Sequence, residues 1–408
     1  MKLPRFLNAR DQGEVAEKKE KIRLSGEDFA AQNPYYAAIA RGYHLAQLSL
    51  FSLLAGFVIL SMLIRSDDIT YENFFYLFKD IHAAVGSEDV GFTSLVYDAD
   101  ETQSFAAYRG GLAVAGESGL TVFTATGRQT ISHSLNMTDP RMLTSSRCIL
   151  VYEQGGNDFA LYNSFTRIHA EQSEGTLSCA ALSDSGWMAL AEQNGSRSLI
   201  SVYDKHTNLK TEFFKNGYTT ALALNRQGSL LAVITTDAQD GVFQTRLELY
   251  QPGTDTLVNE WTFTDLLPLS CSFADNDTLF LTGTDRMLVL SRNGEIDVDM
   301  SYEAGIVRAF HTDEGYALLL ADKTLAIYTK EGSLIGERTD AGDLRSVLVG
   351  ENTVYMMSEN SLMIYDIRHA ESSLLTYDFP LQKLLWYSEN ELLLCSRSTA
   401  RYLKFSDK

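Results

Sequence analysis

Proline, tryptophan and cysteine are all scarce in this 408-residue sequence, with 6, 3 and 4 occurrences. So little proline excludes a collagen-like or proline-rich disordered chain. The four cysteines, Cys148, Cys179, Cys271 and Cys395, lie far apart, and no Cys/His spacing marks a zinc site. Each sits in an apolar strand-like run such as RCILVY or LLLCS, where cysteine is expected to pack as a small buried hydrophobe rather than to pair. Catalytic motifs are missing too. There is no G-x-S-x-G elbow, the seven histidines are scattered, and no D-x-D-x-D-G calcium loop occurs. The pairs Gly110-Gly111 and Gly155-Gly156 do not open a helix after a strand, so they read as hairpin turns and not as a nucleotide loop. No catalytic, cofactor-binding or metal residues are expected, and no cofactor is implied.

Positive charge is also short, with 34 Lys/Arg against 53 Asp/Glu and a net charge of -19. The deficit is one-sided. Residues 1–44 carry eight Lys/Arg and six Asp/Glu, whereas residues 66–408 carry 25 and 47. An acidic body repels phosphate backbones, which excludes nucleic acid as its partner. Carboxylates cluster at Asp98, Asp100 and Glu101, from Asp237 to Asp240, and at Asp275 and Asp277. All three clusters fall where turns are expected, and there Asp serves local hydrogen bonding.

Against these absences stands one long apolar run. Leu45–Ile64 reads LAQLSLFSLLAGFVILSMLI, twenty residues without a charge. At about 1.5 Å per helical residue it matches the ~30 Å hydrocarbon core of a bilayer. A cleaved signal peptide would need a short basic leader and an A-x-A site; here 44 residues precede the run and SMLIRSDD follows it. The larger positive count in the N-terminal tail then places that tail in the cytoplasm and the large domain outside it. The expected layout is a cytoplasmic tail (1–44), a transmembrane helix (45–64), a connecting helix and linker (65–90) and an extracytoplasmic domain (91–408). Glu14/Lys18 and Glu17/Lys21 predict a short helix in the tail. Phe74, Leu77, Phe78, Ile81 and Val85 share one face of the connecting helix.

Beyond residue 90 the sequence repeats at about 35 to 45 residues, the spacing of propeller blades. The copies are GGLAVAGESGLTVFTATG, SRCILVYEQGGNDFALYN, SDSGWMALAEQNGSRSLISVYDKHTN, NRQGSLLAVITTDAQDGVFQTRLELYQPGT, NDTLFLTGTDRMLVLSRNGE, EGYALLLADKTLAIYTKEGS, ENTVYMMSENSLMIYDIRHA and ENELLLCSRSTARYLKF. Each reads as an inner pair of strands plus a third strand, usually ending in an aromatic before a turn. A small twisted sheet cannot bury both faces alone, and stacking blades around an axis solves this. An all-β propeller is expected, with eight blades, or seven if two copies are out of phase. The strand FTSLVYD at 92–98 precedes the first copy, and it is expected to complete the last blade and remove an open edge.

Units such as SDSGWMALAEQNGSRSLISVYDKHTN resemble WD40-type and quinoprotein-type propeller repeats. The layout of tail, span and propeller resembles an uncharacterised family of single-pass membrane proteins of Gram-positive bacteria. The G-H and W-D signatures are missing, with Tyr203-Asp204 and Tyr365-Asp366 standing near the second. The quinoprotein A-x-D-x-x-T-G pattern is missing as well, so the resemblance implies no quinone.

Three roles follow from this layout. The leading one is a membrane-anchored scaffold that binds a protein, a peptide or a cell-envelope polymer. The others are a ligand sensor signalling through the tail and an enzyme using the propeller channel. Trp187, Trp261 and Trp386 are either blade packing or exposed binding anchors.

Overall fold

The structure is a computed structural model that describes residues 34–64, 94–239, 241–312, 315–388 and 391–404. The chain divides into two units between residues 86 and 87. In the first unit a 31-residue helix, α1 (Pro34–Ile64), begins at Pro34 rather than at Leu45. Proline suits a first helical position because its missing N–H is not needed there, and Ala37, Ala38 and Ala40 continue the helix. The described side chains of 45–57 are all exposed, with Leu45, Leu48, Phe51, Leu53, Leu54 and Phe57 spaced around the circumference. Among the described residues no helix is long and apolar enough to cross a membrane. The expected connecting helix within 65–90 and the tail helix around Glu14 lie outside the described residues.

The second unit consists of eight four-stranded antiparallel sheets. Blades 1 to 7 cover 103–133, 140–172, 176–216, 218–263, 268–301, 306–338 and 346–376. Blade 8 joins 381–404 to the strand Ser94–Val96. The first strand of every blade contacts the first strands of both neighbours, blade 8 touching blade 1, so the first strands form a closed inner ring. The count is eight, not seven.

Each sequence copy is the middle hairpin of a blade, as Gly111–Gly116 with Gly119–Phe123 illustrates. This corrects the expected composition of the repeat: a copy holds the second and third strands, and the first and fourth flank it. The reason lies in burial. A middle strand is covered on both faces, so it reads as an unbroken apolar run whose alternate residues serve different neighbours. In blade 1, Leu112 and Val114 pack toward blade 8 while Ala113 and Ala115 pack toward blade 2. One such cluster fills each of the eight interfaces. Complete burial of a Leu or Val contributes about 1.5–3 kcal/mol, so the interfaces carry most of the stability. Fourth strands lie at the rim, and all six residues of Glu371–Thr376 are exposed.

The N-terminal strand closes the ring as expected. Ser94, Leu95 and Val96 pair antiparallel with Arg401, Ala400 and Thr399, and Leu95 is buried beside Cys395 and Phe105. The Gly110-Gly111 pair makes a first-to-second strand turn, with Arg109 at φ 47° and Gly110 at φ 69°. A Cβ at Gly111 would lie 1.9 Å from the Phe123 carbonyl oxygen, so only glycine allows this close approach.

Candidate functional site

Because successive strands are antiparallel, the ring has two unlike ends. The connection face carries the links between blades and the second-to-third turns. The turn face carries the first-to-second and third-to-fourth turns. Among the described propeller residues, the exposed aromatics are Phe214, Tyr218 and Phe243, at 58%, 61% and 63% exposure. All three belong to the connection face at blades 3 and 4. Phe214 lies near the end of Leu209–Asn216, Tyr218 opens Tyr218–Leu224, and Phe243 follows the turn into Val242–Tyr250. The middle strands of blade 4, Leu231–Gln239 and Val242–Tyr250, have nine residues each, the longest described strands. At about 3.4 Å per residue, that extra length carries Val242 and Phe243 outward.

Leu269 and Val307, also exposed, continue the apolar character onto blades 5 and 6. Both are the extra residues of β-bulges near the start of first strands. A bulge turns its additional side chain out of the regular alternation.

Below the aromatics a buried ion pair fastens blade 3 to blade 4. Lys215 Nζ lies 2.7 Å from Glu248 Oε1 and 4.6 Å from the Tyr250 ring centroid. Tyr250 donates its hydroxyl to Glu248 at 3.0 Å and also contacts Lys215 Nζ. Burial first, and the Glu248 carboxylate second, raise the Tyr250 hydroxyl pKa. The apolar face therefore rests on a fixed joint.

Along the axis is a cavity of about 490 Å³, lined by residues of blades 1, 2, 5, 6, 7 and 8. His311 stands in its wall, with Nε2 3.1 Å from Ser270 Oγ and Nδ1 3.0 Å from Ser272 Oγ. Burial pulls the imidazole pKa down to about 4. General-base work is most effective with a pKa near the working pH, so a base this weak with both nitrogens engaged suits a tie between blades 5 and 6. Lys383, from blade 8, lines the same cavity.

A second cavity, about 970 Å³, opens on the turn face beside Asp184, Arg226, Asp275 and Lys330. Its polar groups are largely engaged within the fold. Arg226 pairs with Asp184 at 3.1 Å, and Asp275 accepts hydrogen bonds from the Asp277 and Thr278 backbone amides.

The acidic clusters serve the scaffold. Asp275 caps a turn, and Asp237 accepts from the Ala238 amide. Asp100 reaches instead to the hairpin tip of blade 1, accepting from Ser118 N and Oγ at 3.0 and 2.8 Å. Tyr203-Asp204 and Tyr365-Asp366 hold third-to-fourth turns: Asp204 accepts from the His206 and Asn208 amides, and Asp366 from those of Arg368 and His369. Burial pushes the Asp204 carboxyl up, but Lys210 and the turn hydrogen bonds outweigh it and hold the group well below the usual carboxylate range.

None of the tryptophans is an exposed anchor. Trp261 is buried and donates Nε1 to the Gly294 carbonyl at 3.1 Å, Trp187 packs between blades 3 and 4, and Trp386 packs between blades 7 and 8. All four cysteines are free thiols, Cys179, Cys271 and Cys395 within strands and Cys148 just before Ile149–Glu153. Sequence reasoning missed Phe243, His311 and Lys383. Phe243 had a signal, an apolar pair directly after Asp240-Gly241, where a polar hairpin tip is the rule. The other two had none, because the cavity assembles from distant blades.

The profile of a family of unknown function, DUF5711, matches residues 90–405. No curated protein matches the sequence significantly. Among solved structures, Saccharomyces cerevisiae Sqt1 is similar with a TM-score of 0.61 at 7% identity, over 78% of this chain and 100% of that one. The computationally designed Ika8 protein gives 0.58 at 10% identity, over 76% and 99%. BamB from Moraxella catarrhalis gives 0.55 at 12% identity, over 78% and 98%. At such identities the likeness is one of fold.

Proposed function

This chain belongs to the family of unknown function DUF5711, and we propose that it is a membrane-anchored scaffold whose extracytoplasmic propeller binds a protein or peptide of the cell envelope through its connection face. The carrying observation is that exposed Phe214, Tyr218 and Phe243 all lie on that face, on the adjoining blades 3 and 4. Aromatic side chains offer large contact areas and dominate the energetics of protein interfaces. The propeller fold is one suited to binding scaffolds, and the Lys215–Glu248 joint keeps the platform from yielding when a partner docks.

Anchoring is supported by α1. A helix apolar on every side belongs in a core or in a bilayer, and the described apolar side chains of α1 are exposed. The uncharged run 45–64 and the Lys/Arg excess before it favour a span with the N-terminus in the cytoplasm.

The test places a photo-crosslinking residue at Phe243, in the full chain in its own membrane, with Gln227 on the turn face as the control. A defined protein adduct is expected from Phe243 and not from Gln227, and Tyr218→Asp should abolish it. Equal adducts from the two positions would remove the docking reading. Release of the chain by alkaline carbonate, or digestion of the propeller by protease supplied to the cytoplasmic side, would remove the anchoring reading.

A further inference from the structure

Although the chain carries 53 Asp/Glu against 34 Lys/Arg, the axial cavity has the opposite balance. Among the described residues that line it are Lys330 and Lys383, and no carboxylate. Lys330 lies near Asp275 at the turn face; burial pushes that carboxyl up, and the turn hydrogen bonds, with Lys330 last, hold it below its ordinary value. Lys383, on the first strand Leu381–Ser388, pairs with no carboxylate among the described residues. Its side chain is exposed to solvent and lines the cavity. Burial lowers the ammonium pKa, the Cys395 sulfur works against that, and Arg308 lowers it further. Arg308 belongs to blade 6 and donates from Nη1 to the Leu344 carbonyl at 3.0 Å. Among the described residues no carboxylate pairs with Lys383, and none lines the cavity.

The rest of the wall suits an organic body. Phe105, Leu348 and Trp386 supply flat and branched apolar surface. Tyr316, 1% exposed, also lines the cavity. A volume of about 490 Å³ falls in the range of small-molecule sites. A lysine with no carboxylate partner, beside an apolar wall without acids, favours an anion that supplies the missing counter-charge.

We propose that the axial cavity binds a small organic anion, a carboxylate on a flat apolar body, with Lys383 as its charge partner. The carboxylate can come from a free small molecule or from an acidic side chain of a docked protein, and both share this chemistry.

The test is calorimetric titration of the full chain with benzoate, with benzamide as its neutral match and N-acetyl-phenylalanyl-glutamate amide as the peptide form. Benzoate should bind at a single site and benzamide about tenfold or more weaker, the equivalent of at least one lost charge contact. Lys383→Met should weaken benzoate by about tenfold or more with an unchanged melting temperature, while Lys383→Arg stays within about threefold because it keeps the charge. If the methionine variant unfolds, Lys383→Gln replaces it. Tighter binding of the peptide assigns the site to a partner's side chain, and tighter binding of benzoate to a free molecule. Equal affinity for benzoate and benzamide, or a neutral Lys383 variant that binds as the parent does, overturns the proposal.

Discussion

Tyr97 donates its hydroxyl to the Ser396 carbonyl at 2.8 Å, across 299 residues of sequence. The bond sits next to the Leu95–Ala400 pair and joins the first described strand of the propeller to the last blade. Tyr97→Phe leaves a buried carbonyl without this partner and should cost about 1–2 kcal/mol. Leu95→Asp places a charge in the last interface and should cost about 3 kcal/mol or more, with a bare strand edge that promotes self-association. Urea unfolding followed by light scattering checks both, and an unchanged midpoint in Leu95→Asp would contradict closure.

The Lys215–Glu248 pair has side-chain exposures of 14% and 7%. Removing one partner strands the other, so Lys215→Met should destabilise by about 3–5 kcal/mol. The double variant Lys215→Met/Glu248→Leu should recover much of that loss. Thermal denaturation of the three variants measures the difference.

His311 makes stability depend on pH. Its folded-state pKa of about 4 lies below the 6.5 of the free side chain, so between those values the unfolded chain binds the extra proton. Stability is complete above pH 6.5, falls as pH drops toward 4 and levels off below. The ceiling on this loss is about 3 kcal/mol. In His311→Gln the slope of unfolding free energy over that window should shrink, and an unaltered slope would show that the imidazole is not buried as described.

Burial raises the thiol pKa of Cys271 and Cys395 and lifts that of Cys179 to about 12. Thiolate is the reactive form, so iodoacetamide should modify these positions slowly in the native protein. In denaturant without reductant all four cysteines should react, and mass spectrometry counts them. Fewer than four adducts would reveal a disulfide.

The middle hairpins were legible in the sequence because runs such as LLAVI and ILVY are covered on both sides, which forces continuous apolarity. Closure by the strand Ser94–Val96, within the expected 92–98, was legible because the last copy lacked an outer strand. Fourth strands such as Glu371–Thr376 were not, since a rim strand owes its place to backbone pairing and its side chains are free to be polar. First strands were blurred by bulges at Leu269 and Val307, which break the period of two. The site residues were least legible. Lys383 reaches the cavity wall beside residues of blades 1, 2, 5, 6 and 7 only because the ring closes, and a charged residue in a short strand has no local pattern to set it apart.

The latch formed by Ser94–Val96 also fixes an order of events during synthesis. That strand leaves the ribosome before any blade, yet its pairing partners, Thr399 to Arg401, are translated only after the other seven blades. Every interface from blade 1 to blade 8 can form as the chain emerges, but the ring must stay open until the end, with one naked strand at the front and an unfilled groove behind. Whatever keeps those two edges apart from other chains during that interval governs how much of the protein reaches its native state.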